Sequence, residues 1–264
     1  MNFDILSEKE INRHLQNPKQ IIVKEKTEST NLDIKRLAEN GAEAGTVVVA
    51  EAQSKGRGRV GRSFYSPKGF GIYMSVLLKP NLENSDIVLL TTAVSVGVCR
   101  GIEKAIGKKP QIKWVNDLYL SNKKICGILT EAVRDSSSGE VKYIIVGIGI
   151  NCMYQSFPED IAEIAGSIGE EGEEIPRNKI IAEIIKEFDL LEKNIKDRSF
   201  LIDYKERSMV IGKKIRILND NQTGEAVDID QNGGLIVKTD TGEMRTLSSG
   251  EISIRIDGNN RTDK

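Results

Sequence analysis

Residues 46–51 (TVVVAE) are short, apolar and rich in β-branched side chains, and they run straight into residues 56–62 (GRGRVGR). β-Branched side chains pack well on a pleated surface, whereas alternating glycines weaken any regular element. The pair therefore demands a fold in which a buried strand hands the chain to a glycine-rich loop. Gly56 and Gly58 let backbone amides approach a ligand closely, and Arg57, Arg59 and Arg62 supply planar forks suited to carboxylate or phosphate. Between Glu51 and Glu83 the chain has no acid, while Lys55, Lys68 and Lys79 add to the basic charge. A loop anchored at one end by a strand, with a movable tip, can order itself over an anion and exclude water. The same residues alone also suit a flexible basic loop that binds nucleic acid weakly. They carry neither the Gly-Lys-Ser/Thr ending of a P-loop nor the GxGxxG spacing of a dinucleotide fold.

Periodicity places the neighbouring elements. Residues 1–20 read as a short helix or leader, and 21–23 as a brief strand. Leu32, Ile34, Leu37 and Ala38 give one apolar face from Thr30 until Asn40-Gly41 ends it. Residues 71–79 return to strand pattern, 86–105 read as a mostly buried helix, and strands are expected at 111–115, 118–120, 124–133 and 141–150. Ile181, Ile184, Ile185, Phe188, Leu191 and Ile195 fall at three- and four-residue steps, which predicts a helix. After Ser208 five short β-patterned segments between turns suggest a small barrel spanning 208–256, and 257–264 read as a polar, frayed tail.

A chain of 264 residues accommodates one sizeable core and a smaller domain, at roughly 100–200 residues per domain. Its 38 Lys and Arg against 39 Asp and Glu leave a net charge of −1, which argues against a protein built to coat nucleic acid or anionic membrane. The most apolar stretch, 87–99, falls short of the ~20 residues needed to span a bilayer. Cys99, Cys126 and Cys152 are widely spaced and accompanied by one histidine, His14, so no zinc motif exists. They read as inert buried thiols in a reducing, cytoplasmic compartment.

Two further clusters carry chemistry. In residues 113–120 (KWVNDLYL) a strand lysine, Lys113, precedes a polar turn at Asn116-Asp117. Alternation sends Lys113 and Val115 to one face and Trp114 to the other; an edge lysine before a plain hairpin turn is the other reading. In residues 146–151 (VGIGIN), Gly147 and Gly149 face the same way and clear room for a ligand or for close strand–helix packing, with Asn151 at the end.

These clusters occur in the order TESTN (27–31), EAQSKGRGRVGR (51–62), KWVNDLYL (113–120), KKICGILTE (123–131) and VGIGIN (146–151). The array resembles the biotin protein ligase family over about residues 20–256, and SSGEISIR (248–255) resembles the end of that family's small C-terminal barrel. The resemblance implies an α/β (α+β) fold: a central mixed β-sheet with flanking helices over 21–207, related to lipoate ligases, then the barrel over 208–256. It implies that biotin is activated by Mg-bound ATP to biotinyl-5′-adenylate and passed to a lysine of a biotin carboxyl carrier domain. By the same matching, Ser29, Thr30 and Gln53 bind the biotin head group. Gly56, Arg57, Gly58 and Arg59 close over biotin and adenylate, and Arg62 faces the phosphates. Lys113 lies between biotin carboxylate and α-phosphate. Gly127, Gly147 and Gly149 line the pocket, and Asn116, Asn151 and Arg255 lie near the nucleotide.

Two departures stand out. Val115 occupies the place where the family usually has proline. Many bacterial members also carry an N-terminal winged-helix domain, whereas here a short leader precedes the first motif. The expectation is a ligase without the repressor arm and without DNA as a partner; dimerisation through the sheet edge is common in relatives. A lipoate or octanoate ligase is the rival within the fold. A nucleic-acid-binding module using residues 55–79, or a corepressor, is the rival of another class.

Overall fold

The computed structural model describes residues 4–79, 86–218, 222–248 and 254–256. The valine run becomes strand β2 (Val47–Ala50), buried along its whole length. It lies between β1 (Ile21–Lys24), which it pairs in parallel, and β3 (Gly71–Leu78), which it pairs antiparallel. With β4 (Gln111–Lys113), β5 (Asp117–Leu120), β6 (Lys123–Arg134) and β7 (Val141–Asn151) they form one seven-stranded mixed sheet in the order β1-β2-β3-β7-β6-β5-β4.

The sheet's two faces are covered unequally. Ile72, Met74, Val76, Ile144, Val146, Ile148 and Ile150 point into the main core, packed with Val94 and Ile102 of α3 (Asp86–Ile106) and Ile181 and Ile184 of α4 (Arg177–Asn194). The opposite face presents Leu77, Tyr143 and Ile145 to Ile34 and Ala38 of α2 (Thr30–Glu39). Helix α2 covers only one part of that face. The rest lies beneath the arginine-rich segment.

The C-terminal segments fold as predicted strands: β8 (Lys214–Ile217), β9 (Thr223–Ile229), β10 (Leu235–Thr239), β11 (Met244–Leu247) and β12 (Ile254–Ile256). They form a five-stranded antiparallel sheet in the order β11-β10-β9-β8-β12. Its inward residues Ile215, Ile217, Ala226, Leu235 and Val237 are continuous with the main core. Helix α1 (Glu8–Arg13) also joins that core through Ile11. Helix α5 (Phe200–Arg207), absent from the sequence expectation, precedes the C-terminal sheet. The expected tail at 257–264 lies outside the described residues. Among the described residues no helix is long and apolar enough to cross a membrane.

Near residue 113 the prediction is corrected. The expected strand 111–115 ends at Lys113, and residues 114–116 form a turn with a cis Trp114–Val115 bond. Trp114 and Val115 are both buried in the main core, so strict alternation does not hold past Lys113.

A buried ion pair closes the N-terminal end. Arg177 is fully buried; its Nη1 donates to Glu51 Oε2 at 2.8 Å and to the Gly71 carbonyl at 3.0 Å. It also donates to the Asp4 carbonyl, while the Leu6 amide donates to Glu51 Oε1 at 2.9 Å. Residues 4–6 are thereby tied to the end of β2.

Helices α3 and α4 approach closely because α3 offers Gly97 and Gly101. A Cβ at Gly101 would stand 2.6 Å from Ile184 Cγ1 and 2.9 Å from the Ile184 amide nitrogen. Gly101→Ala raises helix propensity by about 1 kcal/mol, yet overpacking of this kind costs roughly 1–3 kcal/mol. A net loss of stability is expected, measured as a lower urea midpoint. An unchanged or raised midpoint would contradict this packing.

Candidate active site

Antiparallel register assembles the site from distant segments. Tyr73 pairs with Gly149, Gly149 with Gly127, Gly127 with Asp117, and Asp117 with Lys113. Residues directly opposite in antiparallel strands project to the same face. One row therefore crosses β3, β7, β6, β5 and β4 and ends at Lys113, on the face that α2 leaves partly uncovered. One step along, Ser75 pairs with Gly147. Lys113 is half-buried, with its Nζ 5.7 Å from the centroid of the Tyr119 ring.

Above this row the arginine segment folds into a narrow hairpin. The Gln53 amide donates to the Ser66 carbonyl at 3.1 Å, Phe64 to Gly56 at 3.0 Å and Gly58 to Arg62 at 2.7 Å. A 3-10 turn over Arg59–Gly61 forms the tip. Sequence alone gave this loop one anchored end; here both limbs are paired, because residues 63–66 fold back on 53–58. Gly56 permits the pairing, since a Cβ there would collide with the Phe64 carbonyl and Ser66 Oγ.

The glycines on the row make room for protein side chains. A Cβ at Gly149 would lie 2.5 Å from Phe64 Cε1, and one at Gly127 3.5 Å from Phe64 Cε2. The Phe64 ring therefore rests on this floor and meets Tyr73 edge-on, with centroids 6.4 Å apart. At Gly147 a Cβ would collide with the Asn31 amide.

A continuous polar network joins the start of α2 to the hairpin. The Thr30 amide and hydroxyl donate to Gln53 Oε1 at 2.9 and 3.2 Å, and Gln53 Nε2 donates to Ser66 Oγ at 3.0 Å. Ser75 Oγ lies 2.7 Å from Thr30 Oγ1 and 2.6 Å from Asn31 Oδ1. Asn31 Nδ2 donates to Glu131 Oε2 at 2.7 Å, and Glu131 forms an ion pair with Arg57 at 3.1 Å. Ser29, the residue before α2, is buried beside them. Ser29, Thr30, Gln53 and Arg57 thus come together.

Arg59 crosses to the lysine side, where its Nη1 donates to Asn116 Oδ1 at 3.0 Å. Asn116 is itself held by Nδ2 donating to the Ile128 carbonyl at 2.8 Å. Burial pulls the Arg59 guanidinium below its usual range, Asp117 opposes this, and Arg62 adds to it. A partly desolvated cation bonded to a neutral amide gains from an approaching anion. Arg62 is exposed at the base of the tip. Asn151 sits farther along β7, and its Nδ2 donates to the Gly166 carbonyl at 2.9 Å, bracing the 166–169 loop. Arg255 pairs through its backbone with Arg216 in the C-terminal sheet. Cys99, Cys126 and Cys152 are free and buried; burial pushes all three thiols up, Cys152 to about 12, so none is poised as a nucleophile.

Comparison with known proteins decides what this architecture belongs to. Models of the Biotin/lipoate A/B protein ligase family and of the Biotin protein ligase C terminal domain match residues 21–151 and 210–255. The Bifunctional ligase/repressor BirA of Bacillus spizizenii is 35% identical over 94% of this chain and 79% of its own length. The chain belongs to the biotin protein ligase family. Among biotin protein ligases of known structure, that of Aquifex aeolicus in complex with biotin and ATP aligns with a TM-score of 0.79 and 30% identity. The alignment covers 90% of this chain and 99% of that one. The Biotin--[acetyl-CoA-carboxylase] ligase of Mycobacterium tuberculosis is 28% identical over 89% of this chain and 88% of its own.

Sequence reasoning assigned no role to Asn31, Phe64, Ser66, Ser75 or Glu131. Asn31 and Glu131 do close two of the motifs quoted for the biotin protein ligase resemblance, TESTN and KKICGILTE, which is the signal that marks them. Phe64 is the anchor of the hairpin on the glycine floor. Phe64→Ala is therefore expected to loosen the hairpin and speed tryptic cleavage after Arg57, Arg59 and Arg62 by about tenfold, or roughly 1.4 kcal/mol of local opening. Unchanged cleavage rates would show that the ring does not hold the segment.

Proposed function

We propose that the protein activates biotin with Mg-bound ATP and transfers it to a lysine of a biotin carboxyl carrier domain. Membership of the family supports this, as does the likeness to the Aquifex aeolicus biotin protein ligase in complex with biotin and ATP. The observation that carries it is the cross-strand row ending at Lys113 beneath a hairpin whose Arg59 reaches Asn116. Such a row gives two anions a common cationic meeting point.

In this reading Ser29, Thr30 and Gln53 hydrogen-bond the biotin head group, and Gly127, Gly147 and Gly149 line the floor of its pocket, with Phe64 and Asn31 standing over them as part of its wall. Gly56, Arg57, Gly58 and Arg59 close over biotin and adenylate. Arg62 faces the nucleotide phosphates, and Asn116, Asn151 and Arg255 contribute to the nucleotide subsite. A carboxylate oxygen attacks the α-phosphorus, and the bond to pyrophosphate breaks. Like charges repel as they approach, and further negative charge spreads over the α-phosphoryl oxygens; Lys113 and Arg59 offset both. An uncharged lysine amine of the carrier then attacks the activated carbonyl, loses its proton and displaces AMP. No side-chain nucleophile is needed, in keeping with the inert thiols.

In this reading the Mg ion arrives with the nucleotide as part of the substrate; Asp117, the carboxylate in the row beside Lys113, is ion-paired with Lys124 at 2.7 Å. Residues 21–207 then make up the catalytic domain, and the C-terminal sheet closes as the family's small barrel over 208–256. The buried thiols fit a reducing, cytoplasmic compartment.

Isothermal titration of biotin with and without Mg-ATP, followed by mass spectrometry, is expected to yield biotinyl-AMP. Pyrophosphate release with lipoate but none with biotin would overturn the reading. Lys113→Ala is expected to raise the adenylation barrier by ~2.7–4 kcal/mol while the fold persists, a result that stopped-flow pyrophosphate assays and circular dichroism distinguish. Wild-type rates would remove Lys113 from the mechanism. Arg59→Gly is expected to let the adenylate escape and label bulk lysines, and an unchanged off-rate of the intermediate would count against a closing role for the hairpin.

A further inference from the structure

Strand β4 is three residues long and lies at the edge of the large sheet. So short an edge strand has little positional stability of its own. Its neighbours supply it: beside β5 these are Ser95 of α3 and three residues from the C-terminal part of the chain. The Met209 amide donates to the Ile112 carbonyl at 3.0 Å. The Val115 carbonyl accepts from Tyr204 Oη at 3.4 Å and from Ser95 Oγ at 3.2 Å. Between them Trp114, the sole tryptophan, is 95% buried and its indole Nε1 donates to the Gly233 carbonyl at 2.9 Å.

Gly233 belongs to the turn joining β9 and β10, and that turn is rigidly set. Asp230 Oδ1 accepts from the amides of Asn232 and Gly234, each at 2.8 Å. Gly233 is buried with φ +82°, and a Cβ on it would stand 3.0 Å from Thr92 Cγ2 of α3. The acceptor carbonyl is therefore fixed from inside its own turn and from the helix below.

We infer that Trp114 is a positioning residue, a latch through which the turn at Gly233 holds Lys113 where the two anions meet. This rests on the function proposed above. Lys113 is flanked by residues 112, 114 and 115, which are held by Met209, Gly233, Tyr204 and Ser95. The head-group residues Thr30 and Gln53 are held instead at the β2 side of the sheet. The latch therefore acts on adenylation and leaves biotin recognition alone. A displacement of about 1 Å at a reacting centre is enough to cost ~10²-fold in rate.

The test uses the full chain and two variants that break the link from opposite sides. Trp114→Phe keeps an aromatic ring and removes the donor. Gly233→Ala leaves the tryptophan in place and forces its acceptor away. Each is expected to lower kcat for biotinyl-adenylate formation about 10- to 100-fold and to keep the Kd for biotin, measured without ATP, within about threefold. The double variant is expected to be no slower than the worse single one, because both act on one interaction. In Gly233→Ala the emission maximum of the lone tryptophan is expected to move from its wild-type position as the indole loses its buried acceptor. That readout needs no substrate, so it tests the latch even if wild-type protein activates a different acid. Wild-type kcat in either variant, or a matched loss of kcat and biotin affinity, would overturn the inference. So would a slow Gly233→Ala with unshifted emission. Should Trp114→Phe fail to fold, Gly233→Ala decides alone through kcat and emission.

Discussion

Backbone pairing between antiparallel strands fixes which side chains share a face, and in this protein that constraint builds the site. Tyr73, Gly149, Gly127, Asp117 and Lys113 come from four separate stretches of sequence, yet hydrogen-bonded register sets them in one row. A slip of one residue in any pairing would turn that strand's contribution into the opposite face, toward α3 and α4. The apolar core on that side therefore guards the chemistry on this one: Ile72, Ile148, Ile150 and Cys126 can be buried only if their neighbours face the hairpin.

Charge is arranged with the same economy. The hairpin carries no acid of its own, and its cations are answered by partners on other elements: Lys55 by Glu28, Arg57 by Glu131 and Lys68 by Glu25. These pairs are largely exposed and contribute little to stability. Arg59 differs because it is partly desolvated and bonded to the neutral Asn116 amide. It is the hairpin cation whose environment most rewards a negative ligand.

Much of the fold was legible in the sequence. Period-two runs bounded by Gly, Asn and Asp turns located the strands, and the three- and four-residue spacing of Ile181, Ile184, Ile185 and Phe188 located α4. Helix α5 escaped because it is short and its buried residues Phe200, Leu201 and Tyr204 are spread among charges. Alternation carries strand β4 past its true end because it cannot reveal that Trp114 and Val115 are both taken into the core. Alternation puts Gly147 and Gly149 on one face, as the register does, but says nothing of what fills the space they clear. Asn31 and Glu131 meet across a hundred residues of sequence, and Phe64 reaches its floor only once the hairpin has folded back. Local pattern carries no information about such meetings.

One helix serves both sheets from opposite faces. Along α3, Gly97 and Gly101 admit α4, Ser95 meets the Val115 carbonyl, and Thr92 lies under Gly233. The buried side chains of β8, β9 and β10 are continuous with those of the seven-stranded sheet. The two sheets consequently lack separate interiors to melt into, and heating should dissolve them in a single cooperative transition. The boundary read near Ser208 is thus crossed by one continuous buried interior.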